Sequence, residues 1–267
     1  MLGSIVPLLL AVDLASAAPH HHNTRRQGQS NHPPTQSSTG FRLIANVTDP
    51  SSDFAGAPVN GWILDAVHTG AGLNDAVLFA DGDDIGRTYY VNGTADDVAA
   101  GGRATTLTDG GTPPFPYGVY VAARNATDAD GLHDVSVNAG SGDAGVQLEV
   151  SPFLYPWLRG PGSGTSGTYV ACDQYISYYE ENYTTVRWVY DSFSAASNSS
   201  SIGGNGTLSG LGSGSRSIPE GCVAITLLPE CVALDDLPDG AIASHDFSAN
   251  STCYASVSDI DWTLYGP

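Results

Sequence analysis

From residue 40 onward the chain alternates short apolar runs with Gly, Asp, Asn and Pro, and the runs have a period of two. Candidate strands by this pattern are residues 41–47 (FRLIANV), 62–68 (WILDAVH), 76–80 (AVLFA), 87–92 (RTYYVN), 103–107 (RATTL) and 118–123 (GVYVAA). The pattern continues through 134–139 (DVSVNA), 146–150 (VQLEV), 153–158 (FLYPWL), 168–173 (TYVACD), 185–191 (TVRWVYD) and 223–228 (VAITLL). About twelve short strands broken by turn residues predict an all-β fold: a single antiparallel β-sandwich or barrel, with a trefoil-like barrel among the alternatives. The pairs Asp81-Gly82, Asn92-Gly93, Asp109-Gly110 and Asp130-Gly131 supply the turn chemistry such a fold needs. Helix is expected only as short pieces near residues 240–247 and 254–261.

Three segments stand outside this pattern. Residues Ile5 to Leu14 form a short apolar run, and Ala15-Ser16-Ala17 follows the small-x-small cleavage rule, so residues 1–17 read as a signal peptide, although Asp13 interrupts the run and no basic residue precedes it. Ten apolar residues are too few to span a bilayer, and no later stretch is long enough. Residues 18–39 read as a disordered tail: His20 to His22 are adjacent and cannot all converge on one metal, Arg25-Arg26 offers a dibasic processing site, and residues 27–39 are polar and contain proline. Residues 192–221 are dominated by Ser and Gly and read as a flexible loop within a single β domain spanning residues 40–267.

Charge narrows the partners. Nine Arg and no Lys stand against 28 acidic residues, for a net charge of −19. A chain this acidic lacks the cationic footprint that nucleic acid or an anionic membrane surface requires. Asp also far outnumbers Glu, which suits a loop-rich chain because Asp competes with its own backbone and favours turns.

Cysteines and asparagines point to the secretory route. Cys172, Cys222, Cys231 and Cys253 make an even set, which in a secreted chain implies two disulfides. If Cys222 and Cys231 sit on one strand, the nine intervening steps span roughly 30 Å, against the roughly 6 Å Cα separation that a disulfide tolerates. Cys172–Cys222 with Cys231–Cys253 is preferred over the crossed pairing. Asn-x-Ser/Thr sequons occur at Asn46, Asn92, Asn125, Asn182, Asn198, Asn205 and Asn250. With 48 Ser and Thr in 267 residues, chance would place roughly two sequons among the ten asparagines beyond residue 39, so the excess predicts glycans on exposed turns.

Catalytic motifs are mostly excluded. No G-x-S-x-G elbow occurs, and a P-loop needs a lysine that the chain lacks. The Asp-rich loops 81–86 and 128–134 offer oxygen ligands but miss the EF-hand pattern, so no metal or cofactor is assigned. His68, His133 and His245 are isolated from one another in sequence. Among the five glutamates only Glu149 lies inside a clear strand, where alternation places it with Gln147 on a polar, solvent-facing side. Glu149 is therefore the one candidate for a carboxylate-pair hydrolase. Aromatics form the stronger signal. Residues 153–158 and 175–183 concentrate rings beside carboxylates and amides, which suits stacking against sugars, with Tyr155, Trp157, Tyr175, Tyr178 and Glu149 as the candidate ligand-binding residues. Trp62, Trp188 and Trp262 read as core. The sequon-free stretch 126–181 holds all five candidate ligand-binding residues.

The strings STGFRLIANVTDP, GWILDAVHTGAG, GCVAITLLPEC and the ending HDF…CYASVSDIDW resemble a group of uncharacterised secreted fungal proteins, catalogued as a domain of unknown function, some of them labelled IgE-binding proteins. More loosely, YVAC…VRWVYDS…GCVAI is similar to fungal cell-wall proteins associated with phialides. The resemblance covers roughly residues 38–264 and implies an extracellular or wall-associated protein, with no functional position to carry over. Together these readings predict a secreted, disulfide-bonded glycoprotein without catalytic activity, with cell-wall polysaccharide as the candidate partner and a carbohydrate-binding module or a glycoside hydrolase as alternatives.

Overall fold

A computed structural model describes residues 32–55, 57–80, 86–125, 131–150, 155–161, 167–191 and 218–265. Its strands are β1 (Gln36–Ser38), β2 (Gly40–Val47), β3 (Ile63–Gly70), β4 (Leu73–Phe79), β5 (Tyr89–Asn92), β6 (Thr105–Gly110), β7 (Phe115–Val121) and β8 (His133–Ala139). Then follow β9 (Leu148–Glu149), β10 (Trp157–Leu158), β11 (Gly167–Ile176), β12 (Glu181–Tyr190), β13 (Cys222–Val232), β14 (Ser248–Ala249) and β15 (Ser251–Cys253). Pairings run β2–β5–β6–β7–β8–β4–β12–β11–β13 and return to β2, closing a nine-stranded antiparallel barrel. β3 pairs along β4 and joins β2 at Ile44↔Ile63.

The alternation read from the sequence sets what faces inward. On β13 Val223, Ile225 and Leu227 are buried while Ala224 and Thr226 are half-exposed. Tyr169 and Ala171 of β11, Val186 and Trp188 of β12, and Val135 and Val137 of β8 join them in one interior cluster. Each Val, Leu or Ile side chain among them contributes about 1.5–3 kcal/mol on burial. Trp188 fits only because Gly160 and Gly167 lie against its ring; a Cβ on either glycine would stand 2.0 Å and 2.6 Å from indole carbons. A second cluster sits on the outer face of β2, β3 and β13, where Ile44, Ile63 and Leu228 are covered by Tyr254 and Val257 of the C-terminal segment.

Disulfides join Cys172 to Cys222 and Cys231 to Cys253. Both involve β13, one at its first residue and one near its last.

Several expectations are corrected. The polar tail was expected to run unstructured to residue 39, yet Gln36–Ser38 pairs with Ser251–Cys253, and the Ser38 hydroxyl donates to the Val232 carbonyl at 2.6 Å. An edge strand is recruited by its backbone groups, so side-chain polarity is no bar. The helix expected at 240–247 is absent because the Ile242 and Ala243 amides both donate to the Pro114 carbonyl. At 254–261 the Tyr254 amide donates to Pro229, the Tyr254 carbonyl accepts from Cys231, and the Val257 amide donates to Glu230. A helix does form at Ala95–Ala99, started by Thr94 and Asp97, whose side chains cap each other's backbone amides. Candidate strand 146–150 contracts to Leu148–Glu149, and Gln147 is buried rather than solvent-facing, its amide donating to the Val98 carbonyl at the end of that helix. Residues 1–31, with the signal-peptide and dibasic readings, and 192–217 of the Ser/Gly-rich segment lie outside the described residues, as do 81–85 and 128–130 of the two Asp-rich loops.

Candidate functional site

The β11–β12 hairpin is held by ten successive residue pairs from Gly167↔Tyr190 to Ile176↔Glu181. Its turn is closed by Glu180 in the left-handed region, φ +57°. Strand alternation sorts the outer part of the hairpin into two faces. One face carries Asp173, Tyr175, Asn182 and Thr184, and the other carries Gln174 and Tyr183. On the second face a file of rings runs from His68 to Tyr178 at 5.6 Å, Tyr178 to Tyr179 at 5.1 Å, Tyr179 to Tyr183 at 5.4 Å and Tyr183 to Phe79 at 6.3 Å. Tyr178 is 58% exposed and Tyr179 38%. The Tyr183 hydroxyl donates to Glu181 at 2.6 Å, and this bond is the main reason its pKa is pushed up to about 12. The Tyr183 phenol is therefore neutral at any physiological pH.

The sequence candidates divide between two places. Tyr175 and Tyr178 belong to the hairpin and are exposed. Tyr155 and Trp157 pack against the second core cluster around Tyr254, and burial raises the Tyr155 hydroxyl pKa. Trp157 stands opposite Glu149 in the β9–β10 pair. The Glu149 carboxylate lies 3.6 Å from Nε of Arg159, whose side chain is only 5% exposed. Glu149 thus balances an inward-turned guanidinium, a role that its expected solvent-facing position did not foresee.

Two groupings were not visible in the sequence. His245 Nε2 lies 2.7 Å from Asp109 Oδ2, and the Tyr90 hydroxyl donates to Asp109 Oδ1 at 3.3 Å. Burial, followed by the Asp109 charge and hydrogen bond, raises the Tyr90 pKa. This cluster borders a cleft of about 270 Å³ lined by Arg87, Asp109, Pro114, Asp235, Asp236 and Pro238. Arg87 is already paired with Asp65 at 2.9 Å. Elsewhere, Arg187 contacts Asp134 at 2.9 Å and donates to Gln174, while Asp75 nearby has its pKa raised by burial and then by Asp134. The sequence signals for these groups were residues read one at a time: Asp109 in a turn, His245 as an isolated histidine, and Arg187 and Asp134 in strands. Among the described residues no group of three His, Cys, Asp or Glu side chains is placed to hold a metal ion.

Of the sequon asparagines, Asn125, Asn182 and Asn250 are exposed and Asn46 and Asn92 half-buried; Asn198 and Asn205 lie outside the described residues.

A family described as a domain of unknown function (DUF7907) matches residues 38–231. The chain belongs to this family. The match takes in the ring file and three of the four cysteines, while Cys253 falls beyond it. The chain is also similar to "Antigenic protein SchS34" of Stachybotrys chartarum, 34% identical over 242 residues that cover 91% of this chain and 97% of the relative. No solved structure matches significantly. A fungal relative and two disulfides fit an extracellular protein of unknown function. Among the described residues no helix is long and apolar enough to cross a membrane.

Proposed function

We propose that this protein is secreted, N-glycosylated and associated with the fungal cell wall, and that it holds neutral wall polysaccharide through the ring file of the β11–β12 hairpin without catalysing a reaction. The exposed file His68–Tyr178–Tyr179–Tyr183–Phe79 carries this reading. Tyrosine rings offer an electron-rich face to the C–H side of a pyranose and a hydroxyl to its polar rim. Glu180 and Glu181 beside the turn add acceptors for sugar hydroxyls. A net charge of −19 disfavours polyanions and leaves neutral glycans as suitable partners. The relative's description as antigenic supports a position outside the cell.

Co-sedimentation with purified wall polysaccharides tests the proposal. Wild type is expected to pellet with a neutral glucan or chitin, and Tyr178→Ala or Tyr179→Ala to weaken binding about tenfold, as loss of one aromatic contact of roughly 1–1.5 kcal/mol requires. Retention of binding in the double variant, or no binding to any wall polysaccharide, overturns it.

A further inference from the structure

Tyr175 does not join the ring file, and its exposure has a different explanation. It stands directly opposite Asn182 in the β11–β12 register, on the same face as Asp173 and the sequon hydroxyl residue Thr184. The register gives no other described sequon such a neighbour: Asn46 faces Thr226, Asn92 faces Thr105 and Ser248, and Asn125 and Asn250 lie outside strands. Opposed residues on one face of an antiparallel pair have Cβ atoms about 4.5–5.5 Å apart, so a sugar on the Asn182 amide would start within reach of the phenol. Tyr175 is 62% exposed, leaving room above the ring.

We propose that Tyr175 is the platform on which the first N-acetylhexosamine of an Asn182-linked glycan stacks. The inference rests on the glycosylation in the reading above. In the attachment step, C1 of the sugar bonds to Asn182 Nδ2, a lipid-linked pyrophosphate leaves from that carbon, and Nδ2 gives up one proton. The remaining Nδ2–H can still donate to Asp173 Oδ2, as it does at 3.2 Å in the bare chain, and this bond holds the amide on the Tyr175 side of the ladder. The sugar's C–H face then covers the phenol. The glycan occupies one face of the hairpin, and Tyr183 and its ring neighbours keep the other.

The test uses full-length protein secreted from a glycosylating host, with site occupancy read by glycopeptide mass spectrometry and Tm by scanning calorimetry. Thr184→Val removes the sequon while keeping Asn182. Wild type is expected to be occupied at Asn182, and Thr184→Val to lower Tm by about 2–4 °C. In the Tyr175→Ala background the same substitution is expected to change Tm by less than about 1 °C. Equal shifts in both backgrounds, with Asn182 occupied, overturn the stacking and leave glycosylation standing. A vacant Asn182 overturns the stacking together with glycosylation at this site.

Discussion

His245 reaches 136 residues back along the chain to Asp109, and the two side chains, each about four-fifths buried, meet at 2.7 Å. The contact fastens the C-terminal segment to the end of β6, where Ile242 and Ala243 also bond to Pro114. Hydrogen bonds to a charged partner contribute about 1.5–3 kcal/mol against 0.5–1.5 for neutral ones. Asp109→Asn should therefore cost about 1 kcal/mol. Asp109→Ala should cost about 2–3 kcal/mol, because the Tyr90 hydroxyl loses its acceptor too. Urea unfolding measures both; an Asp109→Ala protein as stable as wild type would show that the clasp carries no weight.

Asp75 gives the pH prediction. Its pKa is raised by burial and by Asp134, with Arg187 only partly offsetting them. A carboxyl whose folded pKa exceeds its unfolded value binds its proton more tightly when folded. Its charged form thus subtracts stability above the folded pKa, and that loss disappears as pH falls toward 3.8. Asp75→Asn should raise Tm at pH 7 and match wild type near pH 3, with a small gain because the group is half-exposed and solvent screens it. A larger gain at acid pH than at neutral pH would reverse the assignment.

Trp188 lies against two glycines, so volume rather than polarity is critical there. Gly160→Ala puts a methyl group 2.0 Å from the indole Cη2 carbon. The ring must move, at about 1–3 kcal/mol, and the near-ultraviolet circular dichroism of the tryptophans should change with it. An unchanged spectrum and Tm would show that the site has slack.

The two disulfides close loops of different length, 50 and 22 residues. Loop-closure entropy predicts that replacing Cys172 and Cys222 by Ala costs about 4 kcal/mol, and replacing Cys231 and Cys253 about 3 kcal/mol. Urea unfolding of the two double variants gives the order. The reverse order would mean that docking of β15, rather than chain entropy, governs the second pair.

Barrel strands were legible because their signal is local. Val223, Ile225 and Leu227 alternate with less buried neighbours, and the structure keeps that alternation. The clear alternation ends at Leu228, yet β13 runs on to Val232, in line with the reading of Cys222 and Cys231 on one strand, and Arg42 and Phe41 of β2 continue the ladder opposite Glu230 and Cys231. The choice of that partner strand, unlike the strand itself, has no local signature. The short helix at residues 95–99 did have a local signature, Thr94 followed three residues later by Asp97, but the flanking residues lack the apolar periodicity that draws attention to a helix. Tyr155 and Trp157 had the composition of a sugar platform, and only the path of residues 254–262 over the outer face of the barrel shows that they are packing residues. Pairing of His245 with Asp109 was invisible for the same reason, since it depends on chain return over more than a hundred residues.

Strand β13 is bolted at both ends, and this has a mechanical consequence. Residues 173–221 lie inside the loop closed by Cys172 and Cys222, and residues 232–252 inside the loop closed by Cys231 and Cys253. A pull on the two chain ends passes through the sulfur bridges and bypasses both loops, so neither residues 173–221 nor residues 232–252 can lengthen. Stretched by its two ends, the oxidised molecule would pay out only the chain outside these loops. The ring-bearing hairpin straddles Cys172, so most of it, from residue 173 through its turn and all of β12, lies in the part that the load does not reach.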